Sequence, residues 1–147
     1  MSKLQSFPSE ISPFFSPIEH PKFPILNVPQ EFADSRGLIL NIVDGKLGDV
    51  AIIYSTKGAI RANHHHKLDW HITYLLEGKA SYFYSEAENT KESEVSEREL
   101  NKGDLLLTPK MTWHKFKFIE NSIMVVVSGL SRKKDLYDLD TVPWQIR

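Results

Sequence analysis

Apolar and polar residues alternate in short runs along most of this chain, and turn residues separate the runs. A strand turns successive side chains to opposite faces, so such alternation predicts half-buried strands. The clearest are 48–56 (Gly-Asp-Val-Ala-Ile-Ile-Tyr-Ser-Thr), 72–77, 79–85 and 113–118 (Trp-His-Lys-Phe-Lys-Phe). Residues 104–108 read as a strand ended by Pro109, and 122–128, almost continuously apolar, as a buried strand. Shorter candidates are the apolar run 38–43 and an exposed strand around 94–98, inside the glutamate-rich stretch 86–99. Asp44-Gly45, Lys57-Gly58, Gly78 and Asn101-Lys-Gly103 supply the turns. No stretch has the apolar stripe of a helix. Eight or so short strands with regular turns predict an all-β sandwich or barrel.

The two ends differ from this pattern. Residues 1–29 hold six of the eight prolines, which disfavours helix and central strand. They also hold Phe7, Phe14, Phe15, Ile18, Phe23, Ile25 and Leu26, too apolar for a free tail. An extended arm wrapping the domain or a partner subunit is expected there, followed by one domain over 30–147. The tail from Ser131 is polar, and its Tyr137, Trp144 and Ile146 are expected to dock on the body.

Composition narrows the function. Eighteen basic and 19 acidic residues nearly cancel, so nothing points to nucleic acid or an anionic membrane. No segment is apolar enough to span a bilayer and none resembles a signal peptide, so the expected place is the cytoplasm. There is no cysteine, and hence no disulfide or thiolate site.

The chemistry concentrates in 58–78, which carries four of the six histidines. On a strand, His64 and His66 share a face and His65 takes the other. Two imidazoles on one rigid face can grip one metal ion. His71 lies five residues after His66 and has the wrong parity for a straight strand, so a bulge or turn within 67–70 would be needed to bring it in. Asp69 has the right parity and stays as an alternative ligand. His65 and His20 are not expected to be ligands.

These residues resemble the cupin superfamily. Its first motif, G-x5-H-x-H-x3,4-E-x6-G, is matched by Gly58, His64, His66 and Gly78, with His71 in place of the acid. Its second, G-x5-P-x-G-x2-H-x3-N, is matched by Gly103, Pro109 and His114, with Met111 at the second glycine and Phe118 at the asparagine. The resemblance implies a jelly-roll β-barrel, the double-stranded β-helix, with His64, His66, His71 and His114 as one ligand set. Imidazoles suit zinc, iron, nickel or copper better than magnesium or calcium.

A narrower resemblance is to the dTDP-4-dehydrorhamnose 3,5-epimerases and, more closely, the dTDP-4-keto-6-deoxyhexose 3,4-ketoisomerases. It rests on Asp34-Ser-Arg-Gly37, on Gly58 to Lys67 and on Trp113-His114. It implies an isomerase or epimerase acting on a keto-sugar nucleotide in surface polysaccharide synthesis, and a homodimer. Such ketoisomerases resemble a metal-free cupin with glutamine where this chain has His71; a third imidazole there points towards a metal.

Without metal, His64 or His66 would be the catalytic base. With metal, ligating imidazoles cannot take protons, and the sequence does not name the base. Arg36 and Arg61 are candidates to bind phosphate, with surface ion pairing as the competing role. Tyr82 and Tyr84 are candidates to stack on substrate, although barrel aromatics are commonly core. Glu77, beside Gly78, reads as an exposed turn residue. Two further readings stay open: a non-haem metal dioxygenase and a non-catalytic sugar-binding cupin.

Overall fold

The computed structural model describes residues 25–27, 32–40, 42–43 and 46–147. Twelve strands form two facing five-stranded sheets and one small hairpin. The first sheet contains β1 (Ile25–Asn27), β4 (Asp49–Ser55), β6 (His71–Glu77), β9 (Asp104–Thr108) and β11 (Ser122–Ser128), in the order β1-β9-β6-β11-β4. The second contains β5 (Ile60–His66), β7 (Lys79–Glu86), β8 (Ser96–Asn101), β10 (Thr112–Phe118) and β12 (Thr141–Pro143), in the order β12-β5-β10-β7-β8. The hairpin pairs β2 (Phe32–Asp34) with β3 (Gly37–Ile39). All pairings between these strands are antiparallel. This is the double-sheet barrel that the alternation predicts.

The period-2 pattern places the core. Leu75, Ala80, Tyr82, Leu106, Phe116, Phe118, Met124 and Val126 face inward between the sheets. The odd-numbered neighbours of Leu106, Leu105 and Leu107, join Ile72 and Val127 in a second cluster, covered by Ile42, Val43 and Trp70. The strands β9 and β11 are therefore largely covered on both faces, which explains why 104–108 and 122–128 lack polar alternation, whereas the edge strand β4 of the same sheet leaves Val50, Ile52 and Tyr54 exposed.

Glycines of the two motifs turn the chain. Gly58, Gly78 and Gly103 all have positive φ, +84°, +95° and +90°. Met111, at the position where the motif has glycine, keeps the same backbone conformation, φ +57°. The turn is thus preserved without its usual residue, at a steric cost of about 1–2 kcal/mol.

Several expectations need correction. The strand sought at 94–98 begins later, at Ser96–Asn101, after a 3-10 turn at Glu92–Glu94. The run 38–43 contributes strand only at Gly37–Ile39, which is exposed. A helix that the pattern did not reveal, α1 (Lys134–Asp140), crosses the tail. It spans seven residues and leaves Leu136 and Leu139 exposed, so it has no buried stripe to read. The tail does dock: β12 pairs with β5, and Ile146 is buried. Most of the arm at 1–29, including His20, lies outside the described residues, and within it Ile25–Asn27 forms the edge strand β1. No helix among the described residues is long and apolar enough to cross a membrane.

Candidate metal centre

Four histidines meet at one end of the barrel. His64 and His66 point inward from β5. They follow a bulge at Ala62 and Asn63, both left-handed (φ 63° and 65°), where the register against β10 shifts. His114 points inward from β10, two residues before Phe116 on the same face, and is paired with His64 across the ladder. Ring centres lie 4.6 Å apart for His64–His66, 4.8 Å for His64–His114 and 5.6 Å for His66–His114. One nitrogen from each of these three rings lies within 4.8 Å of the other two.

His71 reaches the same place through the turn within 67–70 that its parity called for, with no bulge. β5 and β6 belong to opposite sheets, so parity along one strand does not apply to the pair. His71 shares the inward face of β6 with Thr73 and Leu75 and looks across the barrel, its ring 4.4 Å from that of His66 and 6.1 Å from that of His114. Its Nε2 lies 3.2 Å from Asp69 Oδ2. Asp69 accepts hydrogen bonds from the amides of Trp70 (2.8 Å) and Leu130 (2.9 Å).

Hydrogen bonds decide where the lone pairs are. A carboxylate or carbonyl oxygen only accepts, so the ring nitrogen facing it carries the proton. His66 Nδ1 donates to Asp140 Oδ2 at 3.0 Å, and His114 Nδ1 donates to the Thr112 carbonyl at 2.9 Å. The lone pairs of these two rings therefore sit on Nε2. The Nε2 atoms of His64 and His66 are buried and have no hydrogen-bond partner. A buried polar atom without a partner costs about 1–3 kcal/mol, so an arrangement that leaves two of them converging calls for a ligand. The carboxylate behind His66 and the carbonyl behind His114 are also the kind of support that orients histidines towards a metal. The donor set fits a divalent transition metal.

Burial also keeps His64, His66 and His114 uncharged. It pushes His64 down to about 3, helped by His66, His71 and Arg132. It pushes His66 down to about 4, helped by His71 and opposed by Asp140. His114 falls well below the usual imidazole range, again through burial first and then His64 and His71. In Asp69, burial works upward, but the His71 hydrogen bond and charge and the Leu130 amide outweigh it and hold the carboxyl low.

These shifts set a pH dependence. In metal-free protein His64, His66 and His114 take up protons near about pH 6.5 in the unfolded chain, while in the fold they do not until pH falls much further. The unfolded state then binds more protons, so stability is complete above about pH 6.5 and drains away towards pH 4, by about 1 kcal/mol per pH unit for each imidazole. The urea midpoint of metal-free protein should fall between pH 7 and pH 5; an unchanged midpoint would contradict the buried, neutral cluster.

The other candidates are sorted by position. A cleft of about 290 Å³ opens beside the cluster, lined by Arg61, His64, His71, His114, Arg132 and Tyr137, among others. Arg61 is steadied there by Ser55 Oγ (2.7 Å) and the Tyr54 carbonyl (2.9 Å). Arg36 is not brought to the cleft. It is exposed and forms an ion pair with Asp34 in its own hairpin turn. Tyr82 is fully buried in the core, with its hydroxyl 2.8 Å from Thr108 Oγ1, and stacks on buried Tyr84; neither lines this cleft. His65 packs edge-on against Trp113 with ring centres 4.2 Å apart, away from the trio. Glu77 is exposed and pairs with Lys102.

The tail supplies what the sequence did not signal. Asp140 supports His66, and Tyr137, expected only to dock on the body, sits 6.0 Å and 5.6 Å from the rings of His64 and His66. Arg132 lies over the Tyr137 ring.

A double-sheet barrel of this kind is the fold of the RmlC-like cupins, and this chain has that fold. Solved structures similar to it include sugar-nucleotide enzymes. The QdtA 3,4-ketoisomerase of Thermoanaerobacterium thermosaccharolyticum, a double mutant in complex with TDP, is 18% identical with a TM-score of 0.65, over 84% of this chain and 88% of that one. The WlaRB TDP-quinovose 3,4-ketoisomerase of Campylobacter jejuni is 20% identical with a TM-score of 0.62, over 75% and 86%. The dTDP-4-dehydrorhamnose 3,5-epimerase of Elizabethkingia anophelis is 15% identical with a TM-score of 0.66, over 83% and 78%. No family model matches the chain, and no curated protein matches it in sequence.

Proposed function

We propose that this protein is a metal-dependent isomerase or epimerase acting on a keto-sugar nucleotide. The observation that carries the reading is the trio His64, His66 and His114: buried, uncharged imidazoles with lone pairs converging beside a cleft. A proton acceptor of ordinary strength has a pKa near the working pH. Imidazoles held at about 3 and about 4 are too weak for that task, which favours His64 and His66 as ligands over either as the base. A bound divalent metal would polarise a substrate carbonyl as a Lewis acid.

The cleft suits such a substrate. Its volume of about 290 Å³ lies just below the usual range for ligand pockets, about 300–1,000 Å³, and suits a sugar ring with the nucleotide lying outside. Arg61 and Arg132 line it and can pair with a diphosphate, while Tyr137 closes one side. The similar QdtA enzyme has been seen in complex with TDP-4-keto-6-deoxyglucose, which makes that compound the first to try.

Incubating the zinc-loaded protein with TDP-4-keto-6-deoxyglucose in D2O should replace the carbon-bound hydrogen next to the keto group with deuterium and yield an isomeric keto sugar, read by proton NMR. Recovery of unlabelled, unconverted substrate from protein loaded with zinc, iron, nickel or copper would rule the reading out.

A further inference from the structure

We propose that His71, steadied by Asp69, is the proton acceptor of the cleft and not a fourth metal ligand. The inference rests on the isomerase reading above and supplies the base that this reading lacks.

Two groups of side chains at this mouth have ligand geometry: His64 with His66 and His114, and His66 with Asp69 and His71. They compete for His66. Its Nδ1 is committed to Asp140, so it has one lone pair, on Nε2, and can serve one group only. The first group has the stronger need, because the Nε2 atoms of His64 and His66 are buried without partners. In the second group, Asp69 and His71 already satisfy each other.

That bond defines His71. Asp69 is anchored through Oδ1 by the amides of Trp70 and Leu130, which leaves Oδ2 for the imidazole. A carboxylate only accepts, so His71 Nε2 carries the proton and Nδ1 carries the lone pair. Among the described residues nothing hydrogen-bonds to Nδ1, and the ring lines the cleft. A carboxylate behind an imidazole fixes its tautomer and stabilises the imidazolium once a proton arrives. Asp69 is then a positioning residue.

The step balances without a co-reactant. The proton on the carbon next to the substrate carbonyl passes to His71 Nδ1. The C–H electron pair becomes the C=C bond of an enediolate, and the carbonyl π pair moves to oxygen. Return of the proton to the former carbonyl carbon, as the neighbouring hydroxyl proton passes to the former carbonyl oxygen, leaves the carbonyl one position along.

The test compares wild type, His71→Gln and Asp69→Asn, all full-length and zinc-loaded, for zinc per chain and for deuterium uptake into TDP-4-keto-6-deoxyglucose. His71→Gln should hold as much zinc as wild type and exchange about 100-fold more slowly or worse. Asp69→Asn should lower kcat about 10-fold or more with KM and zinc unchanged. Wild-type exchange by His71→Gln overturns the inference, and loss of zinc from that variant makes His71 a ligand and also overturns it. If His71→Gln does not fold, Asp69→Asn decides, and an unchanged kcat rejects the pair. If wild type exchanges nothing, the isomerase reading falls and takes this inference with it.

Discussion

Asp140→Ala should weaken zinc binding about 10–100-fold, although Asp140 belongs to neither group with ligand geometry. Its carboxylate holds His66 Nδ1 at 3.0 Å, the amide of Leu68 at 2.7 Å and the amide of Asp69 at 3.3 Å. It therefore fixes both the tautomer of His66 and the loop that leads from β5 to β6. Without it, the Nδ1 proton can move to Nε2 and remove the lone pair from the cluster. The imidazole is 2% exposed, so water cannot easily take the vacated place. A competition titration against a zinc chelator reads the loss. Asp140→Asn, which can still accept from Nδ1, should lose less. Equal affinity in wild type and Asp140→Ala would mean that the carboxylate does not orient the site.

Gly78→Ala should destabilise the fold by about 2–5 kcal/mol, summed from left-handed strain and overpacking. Gly78 joins β6 to β7 at φ +95°, where a side chain is strained whatever the space. Space is also lacking. A Cβ would stand 2.5 Å from the Asn121 carbonyl oxygen and 2.8 Å from Ser122 Cα, with Ser122 Oγ closer still. Ser122 cannot retreat, because it is buried and its hydroxyl donates to the Glu120 carbonyl at 2.8 Å. Gly58 and Gly103 have positive φ as well, but a Cβ there would meet nothing within 4 Å. Their alanine variants should lose only the strain, about 1–2 kcal/mol. Urea melts of the three variants separate the two contributions, and equal losses would show that the Asn121–Ser122 backbone yields.

The strands were legible because their signal is local. Alternation over 48–56 or 113–118 needs no knowledge of partners, and the apolar run 122–128 announced a buried strand. The spacing of Gly58, Gly78 and Gly103 was legible for a related reason, since each glycine supports a positive φ. Met111 shows the limit of that logic, as it adopts the glycine conformation without being glycine.

The site was legible only in part. His64 and His66 share a strand, and their common face follows from parity. His71 enters through the turn within 67–70 that its parity called for, where the chain bends and crosses to the facing sheet; the crossing itself was not legible. Asp140 gave no signal, because its link to His66 spans 74 residues and comes from a helix too short to show periodicity. Tyr82 carried a chemically useful hydroxyl, but its inward place on β7 commits it to Thr108 and the core.

The central claim is that one ion sits among His64, His66 and His114. Metal content of untagged protein, wild type beside His66→Ala, tests it most directly. The account requires about one transition-metal ion per wild-type chain and close to none in the variant, with the variant still folded by circular dichroism. Equal metal in the two proteins would contradict it.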